Sequence, residues 1–171
     1  MLTLKETPTR WRLLESLAID GFNFNTGIRV RFAETDAQGI VNNAEYLVWF
    51  EVARVAYLAR FRGGYQSLRD DRVEALTVEI HARFMLPAYF DDLLNVHARC
   101  VDLRGARFRY EYVVERDGQT IADGWTSHAC VDADTHRPTR VPAWLVDAIT
   151  QAETRPAGEP PGSPAPPPPV R

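Results

Sequence analysis

Residues 31–58, RFAETDAQGIVNNAEYLVWFEVARVAYL, join a short polar loop to a long, almost entirely apolar segment. The loop carries a carboxylate at Asp36, and either Asn42 or Asn43 is a suitable N-cap for a helix over residues 44–61. A helix that is apolar nearly all round is buried nearly all round. The stretch therefore predicts a helix at the centre of the fold, with a polar loop at its N-terminus.

Alternation of apolar and polar residues predicts strands on both sides of this helix. Residues 27–32 (GIRVRF) precede it, and four further segments follow it: ALTVEIHARFML, LLNVHARCV, ARFRYEYVVERDGQ and TIADGWTSHACVDA. Four consecutive antiparallel strands can curl around a helix. The pattern thus predicts an α+β fold, β-α-β-β-β-β, whose antiparallel sheet wraps around the long central helix. In the first strand after the helix, the apolar side consists of Leu76, Val78, Ile80, Ala82, Phe84 and Leu86.

Smaller signals refine this order. Asp117 and Gly118 indicate a tight hairpin between the last two strands. Gly124, inside the last strand, indicates a bulge or a close approach of the backbone to another element. A short amphipathic helix is expected to start near Pro142.

The length of 171 residues is typical of one domain. We assign the predicted strands and helix to residues 27–152. Residues 1–26 form an N-terminal extension, in which TRWRLLESLAI has apolar residues at helical intervals. Residues 153–171 are dominated by proline, glycine and alanine and predict a disordered tail.

Composition excludes several classes of function. Lys and Arg total 20 against 23 Asp and Glu, so charge gives no argument for nucleic acid or an anionic membrane as a partner. No apolar run reaches the ~18 residues of a membrane span, and no signal-peptide pattern is visible, so a cytoplasmic location is expected. Cys100 and Cys130 lack the spacing of metal ligands and are expected to be core thiols.

The loop before the helix contains the groups that hydrolysis of an acyl group needs. A helix N-terminus offers unpaired N–H groups that stabilise an oxyanion. Gly39 lets the loop turn without a Cβ in the way, and Asp36 can attack an acyl carbon or deprotonate water. The same residue types also build an ordinary Asx turn with an N-cap. The residues alone leave a catalytic loop and a structural loop as alternatives.

RVRFAETDAQGIVNNAEYLVWFEVARVAYL resembles the N-terminal signature of hotdog-fold acyl-CoA thioesterases, specifically the 4-hydroxybenzoyl-CoA thioesterase-like family. In that family a strand leads into T-D-x-x-G-x-V, two further residues, and Y-L/F. HARFMLPAYFDDLLNV and RPTRVPAWLVDAI are similar to later parts of the family, so the resemblance spans roughly residues 27–149. It implies hydrolysis of a coenzyme A thioester without a metal or redox cofactor, by a homodimer or a dimer of dimers (a homotetramer).

The resemblance also implies roles for single residues. Asp36 matches the catalytic carboxylate, acting as nucleophile or as general base. Asn43 matches the helix-start position whose backbone N–H polarises the thioester carbonyl, although many relatives have His or Tyr there. Residues at the substrate-binding positions are Gly39, Ile40, Val41, Asn42 and Tyr46, the last in either a packing or a contact role.

Other chemistry-bearing residues leave alternatives open. Some hotdog thioesterases place the working carboxylate on the central helix, but Glu51 and Arg54 at i, i+3 favour an ion pair. Arginines available for the coenzyme A phosphates are Arg62, Arg83, Arg107 and Arg109. Histidines without ligand spacing, expected at the surface, are His81, His97 and His128.

Three competing functions follow from the same fold. An acyl group carried by an acyl carrier protein is one alternative substrate. A hotdog domain that binds an acyl thioester without cleaving it is a second alternative. A dehydratase is a third, but ETDAQGIVNN lacks the histidine expected of that branch.

Overall fold

One antiparallel sheet with three helices forms the part of the chain that the structure, a computed structural model, describes: residues 19–154. The strands are β1 (Asn25–Arg29), β2 (Val73–Phe84), β3 (Leu93–Arg104), β4 (Arg107–Arg116) and β5 (Gln119–Asp132), in the order β1-β3-β4-β5-β2. The helices are α1 (Asn43–Leu58), α2 (Tyr65–Asp70) and α3 (Ala143–Glu153), and a 3-10 turn covers Phe32–Glu34. The predicted α+β class, with one strand before the long helix and four antiparallel strands after it, is confirmed. The short helix α2 was not predicted, because six residues do not show a helical period.

The hairpin between β4 and β5 turns where the sequence predicts it. Arg116 and Gln119 are register partners, and the two residues between them, Asp117 and Gly118, have φ values of 51° and 78°. Positive φ at both central positions is the geometry of a type I′ turn, whose twist matches that of the two strands. The hairpin prediction is therefore confirmed.

Helix α1 begins one residue earlier and ends three residues earlier than the predicted helix. Its N-cap is Asn42, whose side-chain oxygen accepts a hydrogen bond from the Ala44 N–H at 2.9 Å. Beyond its C-terminus, Gly64 has a φ of 64°, and a Cβ there would lie 3.1 Å from the Ala59 Cα. The chain therefore turns sharply after Leu58 and does not continue the helix to residue 61.

One face of α1 packs on the sheet. The Phe50 ring stacks on the Tyr112 ring, with centroids 4.4 Å apart and planes at 6°. Gly124 of β5 faces the same ring, and a Cβ there would lie 2.7 Å from Phe50 and 2.3 Å from the backbone oxygen of His81. The close approach expected at Gly124 is confirmed.

Two predictions about burial are wrong for the single chain. Val48, Val52 and Val55 follow one stripe on the side of α1 away from the sheet and are 45%, 41% and 43% exposed. The sheet therefore covers α1 on one side only. The apolar side of β2 is also open to solvent, with exposed residues at Leu76, Val78, Ile80 and Phe84. The physical reason is the position of β2 at the sheet edge, where it pairs with β5, and a register shift between Thr77 and Glu79 that interrupts the alternation.

The C-terminal helix α3 starts after Pro142, as predicted. The predicted tail begins at residue 153, but Glu153 is the last residue of α3, and its carboxylate accepts hydrogen bonds from the Tyr57 hydroxyl and the Cys100 N–H. Cys100 and Cys130 are free and buried, which confirms them as core thiols. Burial raises the pKa of Cys130 to about 11, so this thiol is un-ionised at neutral pH.

Two predicted segments lie outside the described residues: the N-terminal helix up to residue 18 and the proline-rich tail from residue 155. Over residues 19–154, no helix has both the length and the apolar character that a membrane span requires.

Candidate functional site

The polar loop between β1 and α1 is closed by backbone hydrogen bonds. Thr35 and Val41 form an isolated antiparallel bridge. Inside it, the Asp36 N–H donates to the Ile40 carbonyl at 2.8 Å, and the Gly39 N–H donates to the Asp36 carbonyl at 3.0 Å. Gly39 has a φ of 76°, a conformation that a residue with a Cβ rarely adopts. The loop therefore holds Asp36 in a fixed turn that precedes α1.

The Asp36 side chain is exposed to solvent. Its Oδ1 accepts a hydrogen bond from the Gln38 N–H at 2.8 Å, which is the Asx turn expected of such a loop. This bond orients the carboxylate and engages one of its two oxygens. The other oxygen remains available to a substrate or to water.

The N-terminus of α1 begins where this loop ends. Asn43 is the first helical residue and is exposed. Its N–H belongs to the first turn, where N–H groups have no acceptor within the helix. The Asn42 side chain is already engaged with the Ala44 N–H as the N-cap. The available hydrogen-bond donor at the helix start is therefore the Asn43 backbone N–H. It is present whatever side chain residue 43 has.

The remaining predicted site residues divide between surface and core. Gly39 is exposed and Ile40 is half-buried, whereas Val41 is buried and donates its N–H to the Ala88 carbonyl at 2.9 Å. Tyr46 is also buried, and its ring packs on those of Trp49 and Phe84 at centroid distances of 4.7 and 5.0 Å. In the single chain, Tyr46 and Val41 thus belong to the core. The exposed residues of the loop and helix start are Asp36, Gly39 and Asn43.

Glu34 is a buried carboxylate that the sequence analysis missed. Its side chain is almost fully covered, and it accepts hydrogen bonds from the Arg31 N–H at 2.6 Å, from the Arg31 guanidinium at 2.8 Å and from the Trp49 indole N–H at 3.2 Å. Burial raises the pKa of Glu34, but these hydrogen bonds outweigh that effect and hold the pKa below its usual value. No sequence signal links residue 34 to residue 49, because an acid in a polar loop normally points to solvent.

The predicted ion pair between Glu51 and Arg54 is confirmed, with a separation of 3.3 Å. Glu51 is exposed, whereas Arg54 is buried. Arg54 also donates to the Thr77 hydroxyl at 3.0 Å and lies 3.1 Å from Nδ1 of His128. Arg54 therefore connects α1 to the strands β2 and β5.

The surface prediction is wrong for two of the three histidines. His128 is fully buried, stacks on the Phe108 ring and lies 2.7 Å from the Thr126 hydroxyl. Burial and the neighbouring Arg54 lower the pKa of His128 to about 4, so the ring is neutral at pH 7. His97 is also buried and pairs with Glu115 at 2.9 Å, whereas His81 is exposed. The rings of His128 and His97 can be buried because the protein supplies hydrogen-bond partners for their nitrogens.

The arginines considered for coenzyme A phosphates are partly engaged elsewhere. Arg83 pairs with Asp123, and Arg109 pairs with Asp102 and Glu111 at 3.0 Å each. Arg83 and Asp123 line a groove of about 360 Å³ whose other walls include Phe22, Arg99 and Trp125. Among the residues that the structure describes, no group of three or more His, Cys, Asp or Glu is arranged to hold a metal ion.

Comparisons with known proteins give consistent results. A family model described as the thioesterase-like superfamily matches residues 30–149. The acyl-CoA thioesterase YbgC of Haemophilus influenzae is 32% identical over 124 residues, which are 72% of this chain and 90% of that protein. The solved structure of the hypothetical protein TT1821 from Thermus thermophilus has a TM-score of 0.70 and 34% identity and covers 75% of this chain and 98% of that one. A second structure from Thermus thermophilus, of a thioesterase complexed with coenzyme A and Zn, has a TM-score of 0.69 and 27% identity and covers 80% and 98%.

Proposed function

The chain belongs to the thioesterase-like superfamily, and from this premise we propose that it is an acyl-CoA thioesterase that hydrolyses a coenzyme A thioester to a carboxylic acid and coenzyme A. The observation that carries the proposal is the closed loop that joins Asp36 to the N-terminus of α1. This loop carries an exposed carboxylate and leads into a helix whose first N–H groups have no acceptor within the helix. A carboxylate and backbone donors are the two kinds of group that attack on a thioester needs.

In the proposed reaction the thioester carbonyl oxygen accepts a hydrogen bond from the Asn43 N–H. This donor and the partial positive charge of the helix N-terminus stabilise the oxyanion that forms when the carbonyl carbon is attacked. The interaction uses the main chain only, so asparagine can replace the His or Tyr of many relatives without loss of the donor.

Asp36 supplies the other half of the reaction by one of two routes. As general base, it takes a proton from water while the water oxygen bonds to the carbonyl carbon; the C–S bond then breaks, and the thiolate takes up a proton. As nucleophile, it forms a mixed anhydride and expels the thiolate, and water then hydrolyses the anhydride. Both routes give the same products, and both need the ionised carboxylate.

We propose that the active protein is at least a homodimer. The exposed valine stripe of α1 and the open edge strand β2 both present apolar surface to solvent. An edge strand also has unpaired N–H and C=O groups that can pair with a strand of another chain. A second copy that pairs along β2 would cover this surface and would complete the burial of α1 that its sequence predicts. A dimer of dimers and a cytoplasmic location remain predictions from the sequence.

The experiment that tests the function measures thiol release from short, medium, long and aromatic acyl-CoA esters. We expect the parent protein to hydrolyse at least one ester and Asp36→Asn to lower kcat by about 100-fold or more. Asp132→Asn is the matched control, because the Asp132 carboxylate also accepts a hydrogen bond from the backbone N–H two residues later. The control variant should keep kcat within about twofold of the parent.

Two results would contradict the proposal. If no ester is hydrolysed, coenzyme A thioesters are not the substrates. The same acyl groups on an acyl carrier protein would then be tested. Equal loss in the Asp36→Asn and Asp132→Asn variants would show that the substitution disturbs the fold rather than the reaction.

A further inference from the structure

Glu34 joins three parts of the candidate site through one buried side chain and its own backbone. The carboxylate accepts two hydrogen bonds from Arg31, which precedes the loop, and one from Trp49, in the second turn of α1. The Glu34 carbonyl accepts a hydrogen bond at 2.9 Å from the N–H of Asn42, the N-cap of α1. Glu34 therefore bonds to both ends of the loop that holds Asp36.

The partner of Glu34 on α1, Trp49, is held in place by burial. Trp49 is 1% exposed and packs on the Tyr46 ring, so its indole N–H is a fixed point on the helix. Asp36 lies two residues after Glu34 in the chain, and Asn43 directly follows Asn42. A change in the Glu34 bonds would therefore shift the carboxylate and the helix-start N–H relative to each other.

We propose that Glu34 is a positioning residue of the thioesterase reaction, whose bonds to Arg31, Trp49 and Asn42 set the distance between the Asp36 carboxylate and the Asn43 N–H. The inference rests on the proposed function, because it concerns the same site. Because Glu34 is only 3% exposed, its proposed role is to align the reacting groups. Small errors in such alignment lower the rate of the chemical step far more than they weaken substrate binding.

The test uses two substitutions at the same hydrogen bond. Glu34→Gln keeps the size of the side chain but removes the charge that faces Arg31. Trp49→Phe keeps an aromatic ring in the core and removes the indole N–H together with part of the buried ring volume. We expect kcat to fall by about 10-fold to 100-fold for Glu34→Gln and by about threefold to tenfold for Trp49→Phe, with KM changed by less than about threefold. Because both substitutions act on the hydrogen bonds of one carboxylate, the fall in kcat of the double variant should be smaller than the product of the two single falls.

Glu115→Gln is the matched control. Glu115 is also a largely buried carboxylate, and it pairs with His97 at 2.9 Å and accepts the Gly118 N–H at 2.9 Å, in the sheet. This variant should lower the melting temperature and leave kcat unchanged. Amide hydrogen exchange gives a readout that does not depend on activity: in Glu34→Gln, exchange should become faster over residues 35–45 and stay unchanged in β3 and β4.

The outcomes separate the two proposals. If the parent hydrolyses esters and Glu34→Gln retains kcat within about twofold, the inference fails and the function stands. If Glu115→Gln loses as much kcat, or if exchange accelerates throughout the sheet, the effect is general destabilisation and the inference also fails. If the parent hydrolyses no ester, the proposed function fails, and exchange alone decides whether Glu34 positions the loop: local acceleration supports it and unchanged exchange overturns it.

Discussion

Replacing Gly124 by alanine measures how tightly α1 packs on the sheet. The added Cβ would lie 2.3 Å from the His81 backbone oxygen and 2.7 Å from the Phe50 ring. The first distance is about 1 Å shorter than an ordinary carbon–oxygen contact. Strand β2 must therefore move away from β5, and the Phe50 ring must leave its stack with Tyr112.

The expected cost is at the upper end of the range for overpacked cores, about 3 kcal/mol in the free energy of unfolding. For a chain of this size that cost corresponds to a fall in melting temperature of roughly 6–12 °C. Thermal and urea unfolding, followed by far-UV circular dichroism, would measure both quantities. Adding Phe50→Leu to the alanine variant should recover part of the loss, because it relieves the contact with the ring but not the contact with the backbone.

Gly27→Ala is the matched control for this substitution. No heavy atom lies within 4 Å of a Cβ built on Gly27, and its φ is not in the left-handed region. The control should change the free energy of unfolding by less than about 1 kcal/mol, and a small gain is expected from the lower entropy of the unfolded chain. Equal stability of the Gly124→Ala and Gly27→Ala variants would refute the close packing of α1 on β5.

Two further predictions concern the subunit contact and acid stability. Val52→Asp should turn the proposed dimer into a monomer in light scattering coupled to gel filtration, whereas Glu51→Asp, on the same helix, should leave the dimer intact. A folded monomer of the parent would contradict the dimer. Because the pKa of His128 is lowered to about 4 in the folded state, the unfolded state binds more protons between about pH 6.5 and 4, and stability falls over that window. Between pH 7 and pH 4, His128 should account for about 3 kcal/mol of the fall in the free energy of unfolding measured with urea. If the free energy of unfolding of His128→Gln depended on pH as strongly as that of the parent, this prediction would be contradicted.

Much of the fold could be predicted because its signals are local. The alternation in the segments that became β3, β4 and β5, the Asp117 and Gly118 turn and the start of α3 near Pro142 all depend on residues close in sequence. The exposure of β2 could not be predicted in this way. An alternating pattern indicates that one side of a strand is apolar, but the place of the strand in the sheet decides whether anything covers that side.

The candidate site divides in the same way. The loop motif picked out Asp36, Gly39 and the helix start, since an acid, a glycine and an asparagine cap close together indicate a turn next to a helix N-terminus. The motif did not predict the buried hydrogen bond between the loop and α1. Glu34 and Trp49 meet through a buried hydrogen bond across 15 residues of sequence, and neither residue type predicts the other.

The histidines show most directly that a sequence pattern does not predict which polar side chains are buried. His128 and His81 both lie in segments of alternating pattern, yet one is fully buried and the other is exposed. The cost of burying a polar ring depends on its hydrogen-bond partners, and Arg54, which is distant in sequence, reaches His128 only in the folded chain.

The sequence by itself determined the fold class, the order of the strands and of α1 along the chain, and the place of the polar loop before α1. All of these follow from periodicity and from capping and turn residues within a few positions of one another. Only the tertiary structure decided which apolar surfaces stay exposed, which buried carboxylate bonds to Trp49, and that His128 is neutral. These properties depend on contacts between residues that are distant in sequence, because desolvation and hydrogen bonding act between neighbours in space.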